Sequence, residues 1–466
     1  ELMQRAAHAS WRALRQHWPQ AGCLTVLAGR GNNAGDGYLI AAQAKRAGWQ
    51  VQVLAVGEAA QLQGDAAQAC AEARAAEVEI VPWSECAPLR GVLVDALLGT
   101  GLTGPVREPY AQAIRLINGS GLPVLAVDIP SGLCADTGSE LGVAVRADLT
   151  VSFIALKMGL FSGVAADRVG ALVFAPFQTD PQVQAQVPAI AQRLAPGGLL
   201  TLPPRARTAH KGQLGHVLLI GGERGFGGAA LLAAEAALRA GAGLVSLATR
   251  VEHVAAALTR RPEMMCVPVA SANQLKPLLA AATVLVVGPG LGQGAWGRSL
   301  LSAAASRECV QVWDADALNL LAAGQVNLPA GCVLTPHPGE AARLLGTSVA
   351  LLQADRPAAA QALSARYQAV VVLKGAGTLV AAPDGRLAVC SNGHPAMAGA
   401  GFGDVLAGLT GALLGQGLPA FDAARLAVWL HARAGEQLAV LGRGMAASDL
   451  LPAIRAQLEE VSPCLA

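Results

Sequence analysis

Short β-branched runs, each closed by a glycine turn and followed by an alanine-rich stretch of helical length, alternate along almost the whole chain. This rhythm constrains the fold more than any other feature, because strand, helix and strand in succession build a parallel sheet covered by helices. In the first part the runs are Cys23 to Ala28, Val51 to Val56, Gly91 to Asp95, Pro123 to Asp128 and Leu149 to Phe153. Continuous apolar strands of this kind are buried on both faces. Between 178 and 213 the pattern lapses into Gln, Pro and Gly, with Pro196-Gly197-Gly198 and Pro203-Pro204 as breakers, which marks a domain boundary near 190 to 205. It restarts at His216 and continues through Leu244 to Leu247, Thr283 to Val287, Val310 to Asp314, Gly331 to Thr335 and Ala369 to Leu373. Two α/β domains, 1–192 and 193–466, are therefore expected, as a length of 466 residues also implies.

Composition narrows the class of partner. Hydrophobic residues make up 53% and charged ones 14%, mainly through alanine and glycine, and no apolar run reaches the roughly 20 residues of a membrane span. The net charge of +2 comes from 34 basic and 32 acidic residues spread along the chain, so there is no basic field for nucleic acid or an anionic membrane. A small-molecule substrate is expected. Nine scattered cysteines without a Cys-x-x-Cys point to reduced thiols in the cytoplasm. Glu1 to Ala7 already reads as the middle of a helix, so further residues are expected before Glu1.

After the first strand comes Gly29-Arg30-Gly31-Asn32-Asn33-Ala34-Gly35-Asp36-Gly37, read as a turn that opens a helix at Tyr38. Buried asparagine amides are costly unless they bind something polar, and Asp36 can orient a hydroxyl or amide. Two more strand ends carry matching chemistry, Asp95-Ala96-Leu97-Leu98-Gly99-Thr100-Gly101-Leu102-Thr103-Gly104-Pro105 and Asp128-Ile129-Pro130-Ser131-Gly132. Oxygens of Asn33, Ser131 and Asp95 suit a hard cation, although Asp95 and Asp128 could each simply cap the turn that follows. These three motifs resemble the YjeF N-terminal family, the NAD(P)H-hydrate epimerases, in order and spacing over nearly the whole first domain. The resemblance implies a Rossmann-like three-layer sandwich and K⁺ held by Asn33, Asp95 and Ser131. It also implies a hydrated nicotinamide nucleotide on Asn32, Asn33, Ala34, Gly35, Asp36, on Gly99 to Pro105, on Tyr110 and on Asp128, with Asp128 handling protons. Ala34 stands where the family usually has glycine.

The most informative run of the second part is Gly399-Ala400-Gly401-Phe402-Gly403-Asp404, which opens a smooth apolar helix through Leu414. Glycine N–H groups at a helix start form an anion hole. A carboxylate there is repelled by phosphate, so Asp404 reads as a base acting on a substrate hydroxyl, with a plain helix cap as the alternative. Upstream lie a glycine loop from Gly221 to Ala229, read as flexible, then Gly288-Pro289-Gly290-Leu291-Gly292, Asp314-Ala315-Asp316, Thr335-Pro336-His337-Pro338-Gly339-Glu340 and Lys374-Gly375-Ala376-Gly377-Thr378. A Gly-Lys-Ser/Thr phosphate loop is absent, which excludes the P-loop class. The set resembles the ribokinase-like superfamily and, within it, the ADP-dependent NAD(P)H-hydrate dehydratases, over about 210 to 455. The resemblance implies a ribokinase-like α/β/α sandwich in which Ala229, Gly290, His337 and Asp404 face the hydrated nucleotide. Residues Lys374, Gly375, Ala376, Gly377, Thr378 and Gly403 would hold ADP, and Glu340 would help organise Mg²⁺. His337 alone, between two prolines, would more often be a structural loop histidine.

Both resemblances imply one pair of substrates, NADH hydrate and NADPH hydrate, repaired in two steps by one chain, with ADP consumed. Two other readings stay open: a vitamin kinase of the same superfamily, which leaves the first domain idle, and a nucleotide-sensing scaffold without turnover. Trp11, Trp18 and Trp49 are read as core or as the interface of a homo-oligomer.

Overall fold

The computed structural model describes residues Glu1 to Leu465 and divides into two compact units, Glu1–Ile190 and the chain from Ala191 onward. In the first unit seven strands, β1 (Cys23–Ala28), β2 (Gln50–Ala55), β3 (Glu79–Pro82), β4 (Val92–Ala96), β5 (Val124–Val127), β6 (Leu149–Phe153) and β7 (Ala171–Ala175), form one sheet in the order β3-β2-β1-β4-β5-β6-β7. Every pairing is parallel. Alternate residues of one strand feed two separate cores. Val26 and Val94 pack with the helices Leu2–His17 and Asn32–Arg46 on one face, whereas Leu27 and Leu93 pack with Ile114 and Ile117 of the helix Tyr110–Gly119 on the other. This is the expected three-layer sandwich, and it explains why the central strands are largely apolar. Trp11 and Trp49 meet edge to face at 4.9 Å within the first of these cores.

One expectation is corrected. The helix after β1 starts at Asn32, with Gly31 as its N-cap, and not at Tyr38. Gly35 and Gly37 are therefore helix interior, selected by close packing: a Cβ on Gly37 would lie 2.5 Å from Cβ of Ala96 on β4. The early start brings Asn33 and Asp36 onto the first turns of a helix aimed at the sheet's carboxyl edge.

The second unit holds ten strands: β8 (Gln192–Arg193), β9 (His216–Ile220), β10 (Leu244–Thr249), β11 (Met265–Pro268), β12 (Val284–Val287), β13 (Val310–Trp313), β14 (Val333–Leu334), β15 (Val370–Leu373), β16 (Thr378–Ala381) and β17 (Leu387–Cys390). Their order is β11-β10-β9-β12-β13-β14-β15-β16-β17-β8, parallel except for the two pairings that β16 makes. One face is covered by the helices Gly227–Arg239, Phe402–Gly415, Ala420–Ala439 and Leu450–Val461, whose side chains share a core with Val217, Val286 and Val312. The breaker-rich segment is not wholly irregular, since Gln192 and Arg193 add β8 beside β17. Among the described residues no helix is long and apolar enough to cross a membrane.

Candidate active sites

Loops at the carboxyl ends of parallel strands converge in each unit, as they do in open α/β sheets. In the first unit a cavity of about 500 Å³ is lined by Asn32, Asp36, Thr100 and Asp128 together with Leu2, Met3, Ala6, Asp65, Phe153, Ile154, Ala155, Lys157 and Phe177. Of the predicted residues, Asn33, Ala34, Gly35, Gly99, Gly101 to Pro105 and Tyr110 lie outside that lining, although Thr100, in the same loop as Gly99 to Pro105, is in it. Asp128 sits at the end of β5 with a positive φ of 68°, a conformation that a non-glycine residue rarely keeps without a reason. Its Oδ1 accepts hydrogen bonds from the Phe153 N–H at 3.1 Å and the Ser152 hydroxyl at 3.3 Å, and it pairs closely with the Lys157 ammonium. Lys157 also donates to the Ser152 hydroxyl and the Phe153 carbonyl, so its position is fixed from three sides. Burial, and then the charge of Asp128, push Asp36 up to about 8. Two carboxyl groups of one cavity thus differ in character, one held neutral and one tied to a cation.

Beneath them, Asp95 is fully buried at the end of β4 and links two loops. Its Oδ2 accepts from the Ser131 N–H at 2.8 Å, and its Oδ1 accepts from the Ser131 hydroxyl at 2.6 Å and the Leu97 N–H at 3.2 Å. It therefore does cap the turn that follows, while also reaching Ser131. Asn33 donates to the Leu98 carbonyl at 3.0 Å, but its own buried Oδ1 has no partner. A buried amide oxygen without a donor beside a carboxyl whose pKa burial raises to about 6 is the arrangement a cation would relieve. Ala34 is wholly buried in the same helix turn.

In the second unit the helix Phe402–Gly415 has Gly401 as its N-cap, so Asp404 is not the cap but stands on the first turn. The N–H groups of Phe402, Gly403 and Asp404 donate to no protein acceptor among the described residues, leaving three donors beside the Asp404 carboxyl. Lys374, just after β15, donates from its largely buried ammonium to Asp314 Oδ1 at 2.7 Å. That pair lies against the helix start: a Cβ on Gly403 would be 3.1 Å from Lys374 Nζ and 3.6 Å from Asp314 Oδ2. The Lys374 ammonium is thus placed beside Gly403, a residue grouped with it in the expected nucleotide site. Burial, with the like charges of Asp314 and Glu340, raises Asp404 to about 7 against the opposing pull of Lys374.

His337 proves to be a helix cap, its Nδ1 accepting from the Gly339 N–H at 2.9 Å while Glu340 Oε2 accepts from the His337 N–H at 2.8 Å. Burial and the charges of Lys374 and Arg343 lower its pKa, so the neutral ring carries its proton on Nε2, which lies 3.4 Å from Glu340 Oε1. Half of the ring stays exposed beside buried Glu340, whose own pKa burial raises to about 7. The loop from Gly221 to Ala229 is pinned, not free: Glu223 pairs with Arg250 through two contacts of 2.7 and 2.9 Å, and its N–H donates to the Gly290 carbonyl at 2.6 Å. This brings Phe226 and Ala229 directly over Gly290.

Residues 217–455 match the family model described as NAD(P)H-hydrate dehydratase, and residues 1–159 match the one described as YjeF-related protein N-terminus. The bifunctional NAD(P)H-hydrate repair enzyme of Coxiella burnetii is 46% identical over 98% of this chain and 94% of its own length, and that of Escherichia coli 45% identical over 98% and 88%. This chain belongs to the bifunctional NAD(P)H-hydrate repair enzymes. Among solved structures, a ribokinase-like superfamily protein of Enterococcus faecalis is 28% identical with a TM-score of 0.55, covering 59% of this chain and 98% of that one. The ADP/ATP-dependent NAD(P)H-hydrate dehydratase of Bacillus subtilis, co-crystallized with ATP/Mg²⁺, is 31% identical with a TM-score of 0.50 over 56% and 95%.

Within this repair enzyme, sequence reasoning singled out the strand end at Asp314 without giving it a role, and missed Lys157 and the aromatic pair Phe153 and Phe177, stacked at 5.4 Å. A signal for Lys157 was present, because it follows the carboxyl end of β6, and such ends gather ligands.

Proposed function

We propose that the first unit interconverts the R and S hydrates of NADH and NADPH, and that the second returns the S hydrate to the reduced dinucleotide with ADP converted to AMP and phosphate. The observation that carries this reading is Asp404: a carboxyl poised near neutrality on a helix turn whose N–H groups are free for an anion. Hydroxide is a poor leaving group from C6 of the hydrated ring. Asp404 takes the proton of that hydroxyl, the oxygen attacks the terminal phosphorus of ADP, and AMP departs. The ring nitrogen lone pair then expels phosphate, and loss of a C5 proton restores the dihydronicotinamide. The N–H groups of Phe402 to Asp404, with the ammonium of Lys374 beneath Gly403, stabilise the charge on the transferred phosphoryl. His337 Nε2–H and the Ala229 and Gly290 backbone border the hydrated ring, while Gly375 to Thr378 and Gly403 hold ADP.

In the first unit Asp128, its carboxylate fixed by Lys157, takes the proton of the C6 hydroxyl as the bond from C6 to the ring nitrogen opens; neutral Asp36 is the proton donor of the pair, and reclosure on the other face of the carbonyl inverts C6. Asn32 to Asp36, Gly99 to Pro105 and Tyr110 border the dinucleotide. The unpartnered Asn33 Oδ1 supports a K⁺ held there with Asp95 and Ser131, a cation that would organise the glycine loop without taking part in proton transfer. Among the described residues no three His, Cys, Asp or Glu side chains converge as a metal site. Mg²⁺ would accordingly be held mainly by the nucleotide's phosphates and water, with Glu340 reaching it through water and the ion neutralising phosphate charge. The nine cysteines are unpaired, which supports a reducing compartment such as the cytoplasm. Mixing the chain with S-NADH hydrate, ADP and Mg²⁺ tests the reading: one AMP and one phosphate should appear per NADH, and NADH without AMP would overturn it.

A further inference from the structure

Arg356 opens the helix Arg356–Tyr367 and is 1% exposed, yet among the described residues it forms no ion pair. Its guanidinium donates to neutral oxygens instead. Nη1 reaches Gln353 Oε1 at 2.8 Å, and Nη2 reaches the carbonyls of Leu373 at 3.3 Å, Lys374 at 3.2 Å and Gly377 at 3.5 Å. Burial lowers its pKa to about 10, so it remains a cation at neutral pH. A buried charge without a counter-charge is costly, and it persists where something else repays the cost.

The opposite side of the same loop points to what that is. The N–H groups of Gly375, Ala376 and Gly377 donate to no protein acceptor among the described residues. Gly375 and Gly377 have positive φ of 130° and 64°, the alternation that turns successive N–H groups to one side as an anion-binding concavity. Carbonyl and N–H of one peptide point in opposite directions, so drawing the Lys374 carbonyl towards Arg356 turns the Gly375 N–H outward. A Cβ on Gly375 would lie 3.2 Å from both terminal nitrogens of Arg356, so the guanidinium lies directly behind the loop.

We propose that Arg356 is a positioning residue of the nucleotide site. Its fork holds the carbonyls of Leu373, Lys374 and Gly377 inward so that the N–H groups of 375 to 377 cradle phosphate oxygens of ADP, and its charge is balanced by that anion. The proposal rests on the reading of the second unit as ADP-dependent. Calorimetric titration of Mg²⁺-ADP into the whole chain, as wild type, R356K and R356M, tests it, alongside steady-state kinetics and the melting of ligand-free protein. R356M should bind ADP about thirtyfold more weakly and R356K about fivefold, with the KM for ADP rising in parallel and the KM for the hydrate within about twofold of wild type. A merely structural arginine would lower the melting temperature without separating the two KM values, and that result overturns the proposal. Unchanged ADP affinity in R356M also overturns it; should R356M fail to fold, unchanged affinity in R356K does so alone. A wild-type chain that binds no ADP would instead strike the reading beneath it.

Discussion

The acid limb of the dehydratase should report Asp404. With its pKa near 7 in place of the ordinary 3.8, Asp404 is protonated at low pH and cannot accept the hydroxyl proton. About a tenth of the molecules carry the base form at pH 6 and about nine tenths at pH 8, so kcat/KM should fall about tenfold per pH unit below the limb. An unperturbed carboxyl would leave the rate flat over the same range. The shift has an identified source besides burial, namely the charge of Asp314. At an effective dielectric of about 20, a carboxylate a few ångströms away repels another by roughly 1–3 kcal/mol, or about one to two pH units. Asp314→Asn removes that repulsion and also releases Lys374 from its partner, and both changes lower the Asp404 pKa. The limb should therefore move down by at least about one pH unit, in stopped-flow recovery of reduced-nicotinamide absorbance from S hydrate at saturating ADP. A limb that stays near pH 7 in the variant would refute the electrostatic account, as would a wild-type profile flat from pH 5.5 to 8.

Lys157→Met should slow conversion of the R hydrate about a hundredfold while leaving dehydration of the S hydrate at the wild-type rate; chiral chromatography of the two hydrates measures this, and an unchanged R rate contradicts the role given to Lys157. Gly37→Ala places a methyl group 2.5 Å from Cβ of Ala96 and should destabilise the first unit by about 1–3 kcal/mol; an unmoved denaturant midpoint would show that this contact is not tight. Replacing K⁺ by a large organic cation should slow epimerisation, and Asn33→Leu should abolish the response to K⁺. Equal rates in the two salts would remove the cation from the account.

The layered α/β fold was legible because the core strands bury alternate residues in two separate cores and so are apolar at most positions on both faces, as Val26 and Leu27 show. Edge strands were not. β3, β7 and β11 are short and largely uncovered, which leaves no sequence period to find. The glycines at 35 and 37 misplaced the start of a helix, because glycine chosen for close packing and glycine chosen for a turn have the same letter. Asp404, Asp128, Asn33 and Asp95 were legible as strand-end and glycine-loop polar residues. Their partners were harder to read: Lys374 and Asp314 meet across 60 positions, and Arg356 lies in a helix with nothing local to distinguish it from a surface arginine.

The central claim is that one chain carries two complementary activities, and it is tested most directly with an equimolar mixture of R and S NADH hydrates, ADP and Mg²⁺. Wild type should return both to NADH. Asp128→Asn should return the S half promptly and the R half only at the uncatalysed rate, and Asp404→Asn should return neither while still mixing the epimers. Recovery of R hydrate at the wild-type rate by Asp128→Asn, or NADH formation by Asp404→Asn, would contradict the account.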